Sequence, residues 1–191
     1  MPNQRPTPSS READDMNRMR NKALPESESI SVKNSIILAG QLGVITKQEF
    51  KKGKILFSVK GPILPRATKY SFSVDLDRHI DPLRDNGSFD FGRYLNHSCD
   101  PNTIVRVVDA EKKFPYIEIV ARRNIKAGEE LAFDYALLEY ETVANNDCKC
   151  TTALCRGTIH GFKDLPDHIV KKYKAEGIIP KHLLKIKKAA F

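Results

Sequence analysis

Three of the four cysteines fall within one short run, Cys148-Lys-Cys150 followed by Cys155. Cys148 and Cys150 are too close to serve separate parts of a disulfide framework, so reduced thiolates around a metal suit the spacing better. Zn²⁺ takes four tetrahedral thiolates at about 2.3 Å, and a C-x-C-x4-C loop presents three of them to one point. A distant residue must close the site. Cys99 is the only cysteine left, and it lies in Tyr94-Leu-Asn-His-Ser-Cys-Asp-Pro-Asn102, where polar and metal-binding groups crowd between two apolar segments. The expectation is a structural zinc on Cys99, Cys148, Cys150 and Cys155; four unrelated buried thiols are the alternative. A closed four-thiolate site has no position open for water, so the metal folds the C-terminal loop onto the Asn-His-Ser-Cys stretch.

The 191-residue chain, 40% hydrophobic, suffices for one globular unit with appendages. A net charge of +8 favours an acidic partner, with nucleic acid among the candidates, unless it is only a solvated excess of lysine. No apolar stretch approaches the roughly 18 residues of a membrane span, and the first residues carry no signal-peptide core. The expectation is a soluble, intracellular protein without membrane contact, nuclear and cytoplasmic locations both being open.

Residues 1–28 are rich in Pro, Ser, Asn and charge and lack apolar periodicity. They read as a mobile tail, with a short docked helix at Met16, Met19 and Leu24 as the alternative. From Ile30 to Leu64, bursts such as Ile36-Ile37-Leu38 and Ile55-Leu56-Phe57 separated by Gly40, Gly43, Gly53 and Gly61-Pro62 read as short strands and tight turns. Alternation through Phe72, Val74 and Leu76 predicts a half-buried strand over Tyr70 to Leu76. Phe89 to Leu95 predicts a short helix or irregular packing. Thr103 to Val107 and Tyr116 to Val120 predict a hairpin, and Lys126-Ala-Gly128 a turn before Leu131 to Tyr135. Asp164 to Gly177 predicts a helix capped by Asp164, with Pro166 in its first turn and Gly177 ending it. A last helix is expected over Pro180 to Lys188. From Phe162 onward eight lysines stand against Asp164, Asp167 and Glu176, so about five of the eight net charges lie there.

Asn96-His97-Ser98-Cys99-Asp100-Pro101-Asn102, then Gly128-Glu129-Glu130-Leu131 leading into Phe133-Asp134-Tyr135, then Cys148 to Gly157 (CKCTTALCRG) follow one another in the order seen in SET-domain lysine methyltransferases, and the chain resembles that family from about Ile30 to Gly161. The resemblance implies a mainly β fold, β-clip-like, of small curved sheets with a pseudoknot, and a short C-terminal helical segment. It implies a SET domain at 29–140, a post-SET zinc loop at 141–161 and a basic helical extension at 162–191.

The implied chemistry is methyl transfer from S-adenosylmethionine to a lysine ε-amine of a protein such as a histone tail or another basic protein. Tyr135 is expected to supply the essential hydroxyl, Tyr70 to stand across the lysine channel, and Phe133 to leave room for di- or trimethylation. Leu42, Gly43, Asn96, His97 and Tyr135 are expected at the cofactor, with Phe162 either a cover over the adenine or a core aromatic. In-line displacement needs a neutral amine, and a free lysine with pKa near 10.4 is mostly protonated, so an apolar aromatic channel must disfavour the ammonium form. Two departures stand out. Gln41 occupies the place of the first glycine of the family's Gly-x-Gly motif, with Gly40 one position early, and Phe89-Asp90 replaces a Gly-Asn pair. Because of Gln41, a catalytically inactive binding module recruiting a protein or DNA is the rival reading. A zinc-knuckle nucleic-acid binder is disfavoured, since no aromatic residue lies between Cys148 and Cys155.

Overall fold

A computed structural model describes residues 24–142 and 147–189, with side chains as far as Lys185. The expected tail lies outside the described residues up to position 23. Residues 24–28, grouped with it by composition, instead fold back: Val32 N–H donates to Pro25 O at 3.1 Å, and Lys47 pairs with Glu26 at 2.6 Å.

Ten short strands follow in chain order: β1 Ile30–Asn34, β2 Leu42–Thr46, β3 Ile55–Val59, β4 Ile63–Leu64, β5 Phe72–Ser73, β6 His79–Ile80, β7 Asn96–His97, β8 Thr103–Val108, β9 Tyr116–Ala121 and β10 Glu130–Phe133. They form three small sheets, ordered β1-β2-β10-β7, β3-β9-β8 and β4-β6-β5. The mainly β character expected from glycine-punctuated, β-branched bursts is present. Gly53 and Gly128 sit in their turns at φ 83° and 85°, where a Cβ would be strained. The first sheet positions the site. In it β2 runs antiparallel to β10, with Val44 opposite Leu131, while β7 runs parallel to β10, with Asn96 opposite Ala132 and His97 opposite Phe133.

Three expected elements differ. Ile36-Ile37-Leu38 is not a strand but a bend, because the buried Glu130 carboxylate accepts the N–H groups of Ile36 and Ile37 at 2.6 and 3.0 Å and takes them out of any ladder. The strand expected over Tyr70 to Leu76 shrinks to two residues. Both of its faces are covered there, Ser73 meeting His79 Nδ1 at 2.9 Å, and the chain then turns with Val74 N–H donating to Arg78 O at 2.9 Å. The first C-terminal helix, α1, spans Asp167–Ala175 rather than starting at Asp164, which belongs to a 3-10 turn over Phe162–Asp164. Pro166 disfavours helical backbone at Leu165, which is extended at ψ 135°, and Gly177 ends the segment at φ 68°. The second helix, α2, covers Lys181–Ala189.

The main core gathers Val44, Val59, Ile80, Ile117, Ile119 and Leu131 from all three sheets. A second cluster joins Ala136 and Leu137 to Phe162, Leu165, Tyr173, Ile179 and Leu183. At about 2 kcal/mol for each fully buried large apolar side chain, this cluster fastens the C-terminal helices behind the end of β10.

Gly43 has a packing reason of its own. A Cβ there would collide with the Glu130 carboxylate, which also accepts from Asn96 Nδ2 at 2.7 Å and Ser35 Oγ at 2.9 Å. Gly43→Ala should therefore displace Glu130 from its buried donors and cost about 3 kcal/mol in chemical denaturation. A change under about 0.5 kcal/mol would show that the carboxylate has other room.

Candidate active site

The chain enters the site through a 3-10 turn, Phe91–Tyr94, whose N-cap Asp90 accepts from Gly92 N–H at 3.2 Å. Every residue from Phe91 to Cys99 is buried. The opposite wall is β10 and the turn after it, Tyr135–Leu137, capped by the Asp134 side chain, which accepts from Ala136 N–H at 3.1 Å.

Tyr135 joins the two walls. Its hydroxyl donates to Leu95 O at 3.0 Å and its backbone N–H to His97 Nδ1 at 3.2 Å. Accepting at Nδ1 places the His97 proton on Nε2, which points at Cys99 Sγ 3.3 Å away. Burial holds His97 down to about 4, against a smaller opposing pull from Asp134. Burial also pushes the Tyr135 hydroxyl well above its ordinary range, with Tyr70 and Glu130 acting in the same direction. Tyr135 is thus a neutral donor. Its ring belongs to an aromatic row: Phe72 to Phe133 at 5.8 Å, Phe133 to Tyr135 at 4.9 Å, and His97 edge-on to Tyr135 at 5.2 Å between centroids.

The two expected cofactor segments meet directly. Asn96 Nδ2 donates to Leu42 O at 3.0 Å, across the β10 strand that lies between β2 and β7. Gly40 lies at φ 79°, the conformation that suits glycine, with Ser35 N–H donating to Gln41 O at 2.8 Å. The displaced glycine therefore still serves the turn into β2. Tyr70 is half-buried, its ring 3.8 Å from the Arg93 guanidinium. Phe162, expected over an adenine, is fully buried in the second cluster with Ala136, Leu137 and Tyr173, where it backs the Tyr135 turn.

The four cysteines converge. Their sulfurs all lie within 4.8 Å of one another, and Cys99 and Cys148 are 3.6 Å apart. A tetrahedron of sulfurs about 2.3 Å from a zinc ion has edges of about 3.8 Å, so the donor set fits that ion. Polar hydrogens face the sulfurs as thiolates require: Arg156 N–H donates to Cys99 at 3.4 Å, and Gly157 N–H to Cys155 at 3.4 Å. Burial pushes the Cys99 thiol up to about 11 and the Cys148 thiol higher still, whereas Cys150, against the same burial, is held down to about 6 by hydrogen bonding with Thr152, so a metal must displace protons from Cys99 and Cys148 to bind. Ile37, from the bend before β2, packs on this cluster.

Other residues organise the site without having been singled out from the sequence. Asp134, fully buried, accepts both Arg156 NH groups at 2.8 Å each and the Tyr173 hydroxyl at 2.8 Å. Glu130 holds the bend before β2 and the Asn96 amide. Both acids stood inside quoted motifs, and Arg156 directly follows Cys155, but a charge fated for burial looks in sequence like one bound for solvent.

Fold and site define a class: a small-sheet β protein in which a buried Asn-His strand runs beside a strand that leads into Asp-Tyr, next to a cluster of four cysteines. A family model described as the SET domain matches residues 41–136, half of the chain, and the chain belongs to the SET-domain family. A Caenorhabditis briggsae protein described as "Probable histone-lysine N-methyltransferase set-23" is 42% identical over 113 residues, which cover 59% of this chain and 45% of that protein. Histone-lysine N-methyltransferase SUV39H2 of Xenopus tropicalis is 30% identical over 151 residues, covering 62% and 36% of the two chains. The chain thus spans less than half the length of these relatives. Among solved structures, KRYPTONITE in complex with mCHH DNA, H3(1-15) peptide and SAH has the same fold, with a TM-score of 0.56 at 23% identity over 75% of this chain and 32% of that one.

Cys99→Ser should weaken zinc retention more than ~100-fold in competition with a chromogenic chelator, since even outer-shell changes cost 10- to 100-fold. Unchanged retention would remove Cys99 from the site.

Proposed function

We propose that this chain transfers methyl groups from S-adenosylmethionine to the ε-amine of a lysine in a protein substrate. The observation that carries this reading is the Tyr135 hydroxyl, neutral and half-buried, held on Leu95 O at the end of an aromatic row beside the Asn96–His97 strand. When bound, the cofactor supplies an electrophilic methyl on a sulfonium. Asn96 and His97, with Leu42 and Gly43 beside them, hold and orient it. Phe72, Phe133 and Tyr135 form an apolar wall that strips water from the amine and disfavours its charged form. The Tyr135 hydroxyl, with Tyr70 opposite, directs the amine lone pair along the line of displacement. Zinc on Cys99, Cys148, Cys150 and Cys155 holds the C-terminal loop against His97 and takes no part in the chemistry.

Phe133 carries no hydroxyl that would anchor a water in the channel, which supports di- or trimethylation. The relatives' names support a histone or another basic protein as substrate, and with it a nuclear setting. Among the described residues no helix is long and apolar enough to cross a membrane. Lys171, Lys172, Lys174, Lys181 and Lys185 are all exposed on the two C-terminal helices, a basic face suited to nucleic-acid phosphates near such a substrate.

Tyr135→Phe should lower methyl transfer at least ~100-fold, while calorimetry finds cofactor affinity within about threefold of wild type. Retained turnover would remove that hydroxyl from the mechanism. Mass spectrometry of the wild-type product should find di- or trimethyl-lysine, and a strictly monomethylated product would contradict the Phe133 assignment.

A further inference from the structure

Tyr70 is the less constrained of the two channel tyrosines by backbone. It precedes β5 in an irregular segment, and its N–H reaches only Thr68 Oγ1 at 3.3 Å. Its ring is nevertheless fixed from the side. The Arg93 guanidinium lies 3.8 Å from the Tyr70 ring centroid and 3.9 Å from that of Phe89, a sandwich of one cation between two aromatic faces.

Each base of this sandwich is seated independently. Arg93 is buried in the 3-10 turn that leads into Asn96–His97. That turn sits flush on β3 and β5, because a Cβ on Gly92 would come within 2.7 Å of Val59 and 3.0 Å of Phe72. Phe89 bridges to Leu83, and the next residue, Asp90, donates its N–H to Pro82 O at 2.9 Å and takes an ion pair from Arg84 at 3.1 Å. Phe89 is also one of the two residues that replace the family's Gly-Asn pair, so the outer face of the sandwich is supplied at a position where glycine would leave none. A guanidinium is planar and stacks on rings with both faces, which a lysine ammonium cannot do.

We propose that Phe89 and Arg93 clamp the Tyr70 ring and thereby set the position of its hydroxyl in the lysine channel. Arg93 and Phe89 are positioning residues acting through Tyr70. The inference rests on the methyltransferase reading for its consequence in turnover, and on the sandwich alone for its consequence in ring motion.

The test uses the full chain loaded with zinc, the variants Arg93→Lys, Phe89→Leu and Tyr70→Phe, and the doubles of the first two with Tyr70→Phe. In NMR spectra of ring-labelled tyrosine, wild-type Tyr70 should flip slowly, and both clamp variants should speed the flip at least tenfold. With a lysine peptide and labelled cofactor, each clamp variant should lower kcat about tenfold with the KM for the cofactor unchanged. In the Tyr70→Phe background, neither clamp substitution should lower kcat further. Faster flipping in a protein that methylates nothing would uphold the clamp and overturn the methyltransferase reading. A Tyr70 flip rate unchanged by both variants, or kcat losses that simply add to that of Tyr70→Phe, would overturn the clamp while leaving that reading intact.

Discussion

The Asp134 carboxylate is the interaction on which the site depends. It is fully buried, and its two oxygens accept from Ala136 N–H, twice from Arg156 and from the Tyr173 hydroxyl. Burying such a charge costs several kcal/mol, and the gain from pairing offsets this only when every lone pair is used. Here the donors come from three places: the turn carrying Tyr135, the loop that follows Cys155, and α1. Leaving any of them out strands a buried charge. The carboxylate therefore couples the placement of the Tyr135 turn to that of the cysteine loop and of α1.

A second buried acid repeats the arrangement at the other end of β10. Glu130 accepts from Ser35, Ile36, Ile37 and Asn96, tying the bend before β2 to the Asn-His strand. Between the two acids lie Leu131, Ala132 and Phe133, and each acid organises one half of the site, the bend before β2 near Glu130 and the tyrosine turn near Asp134. The cysteine cluster reaches both halves, through Ile37 packing against it on one side and His97 Nε2 facing Cys99 on the other. Arg122 adds a peripheral fastening, pairing with Glu176 at 2.8 Å and lying over the Tyr173 ring at 5.5 Å.

Much of this was legible from residue type and spacing. The β-rich core followed from β-branched bursts between glycines, and the cysteine cluster from a spacing with few other uses. Asn96, His97 and Tyr135 stood out because their neighbours formed ordered motifs. What escaped was whatever depends on partners distant in the chain. An alternating Tyr70-to-Leu76 pattern does not reveal that Ser73 meets a buried His79, and Ile36-Ile37-Leu38 looks like a strand until Glu130 claims its amides. Tyr173 lies buried on α1, but its hydroxyl partner, Asp134, lies 39 residues away. The sequence places Pro166 in a first turn that starts at Asp164, yet its effect on Leu165 moves the helix start beyond Asp164.

A single assembled site, with zinc on the four cysteines and Asp134 joining its parts, is proposed to methylate lysine. This proposal is tested most directly by following labelled methyl from S-adenosylmethionine into a panel of histone and other basic proteins, first with zinc-loaded chain, then after stripping with a thiol-compatible chelator, then after zinc is restored. Lysine-borne label is expected with the loaded protein, with its loss on stripping and its return with zinc. Lysine labelling that persists undiminished without zinc would contradict the coupling, and no labelling by the loaded protein on any lysine in the panel would contradict the activity itself.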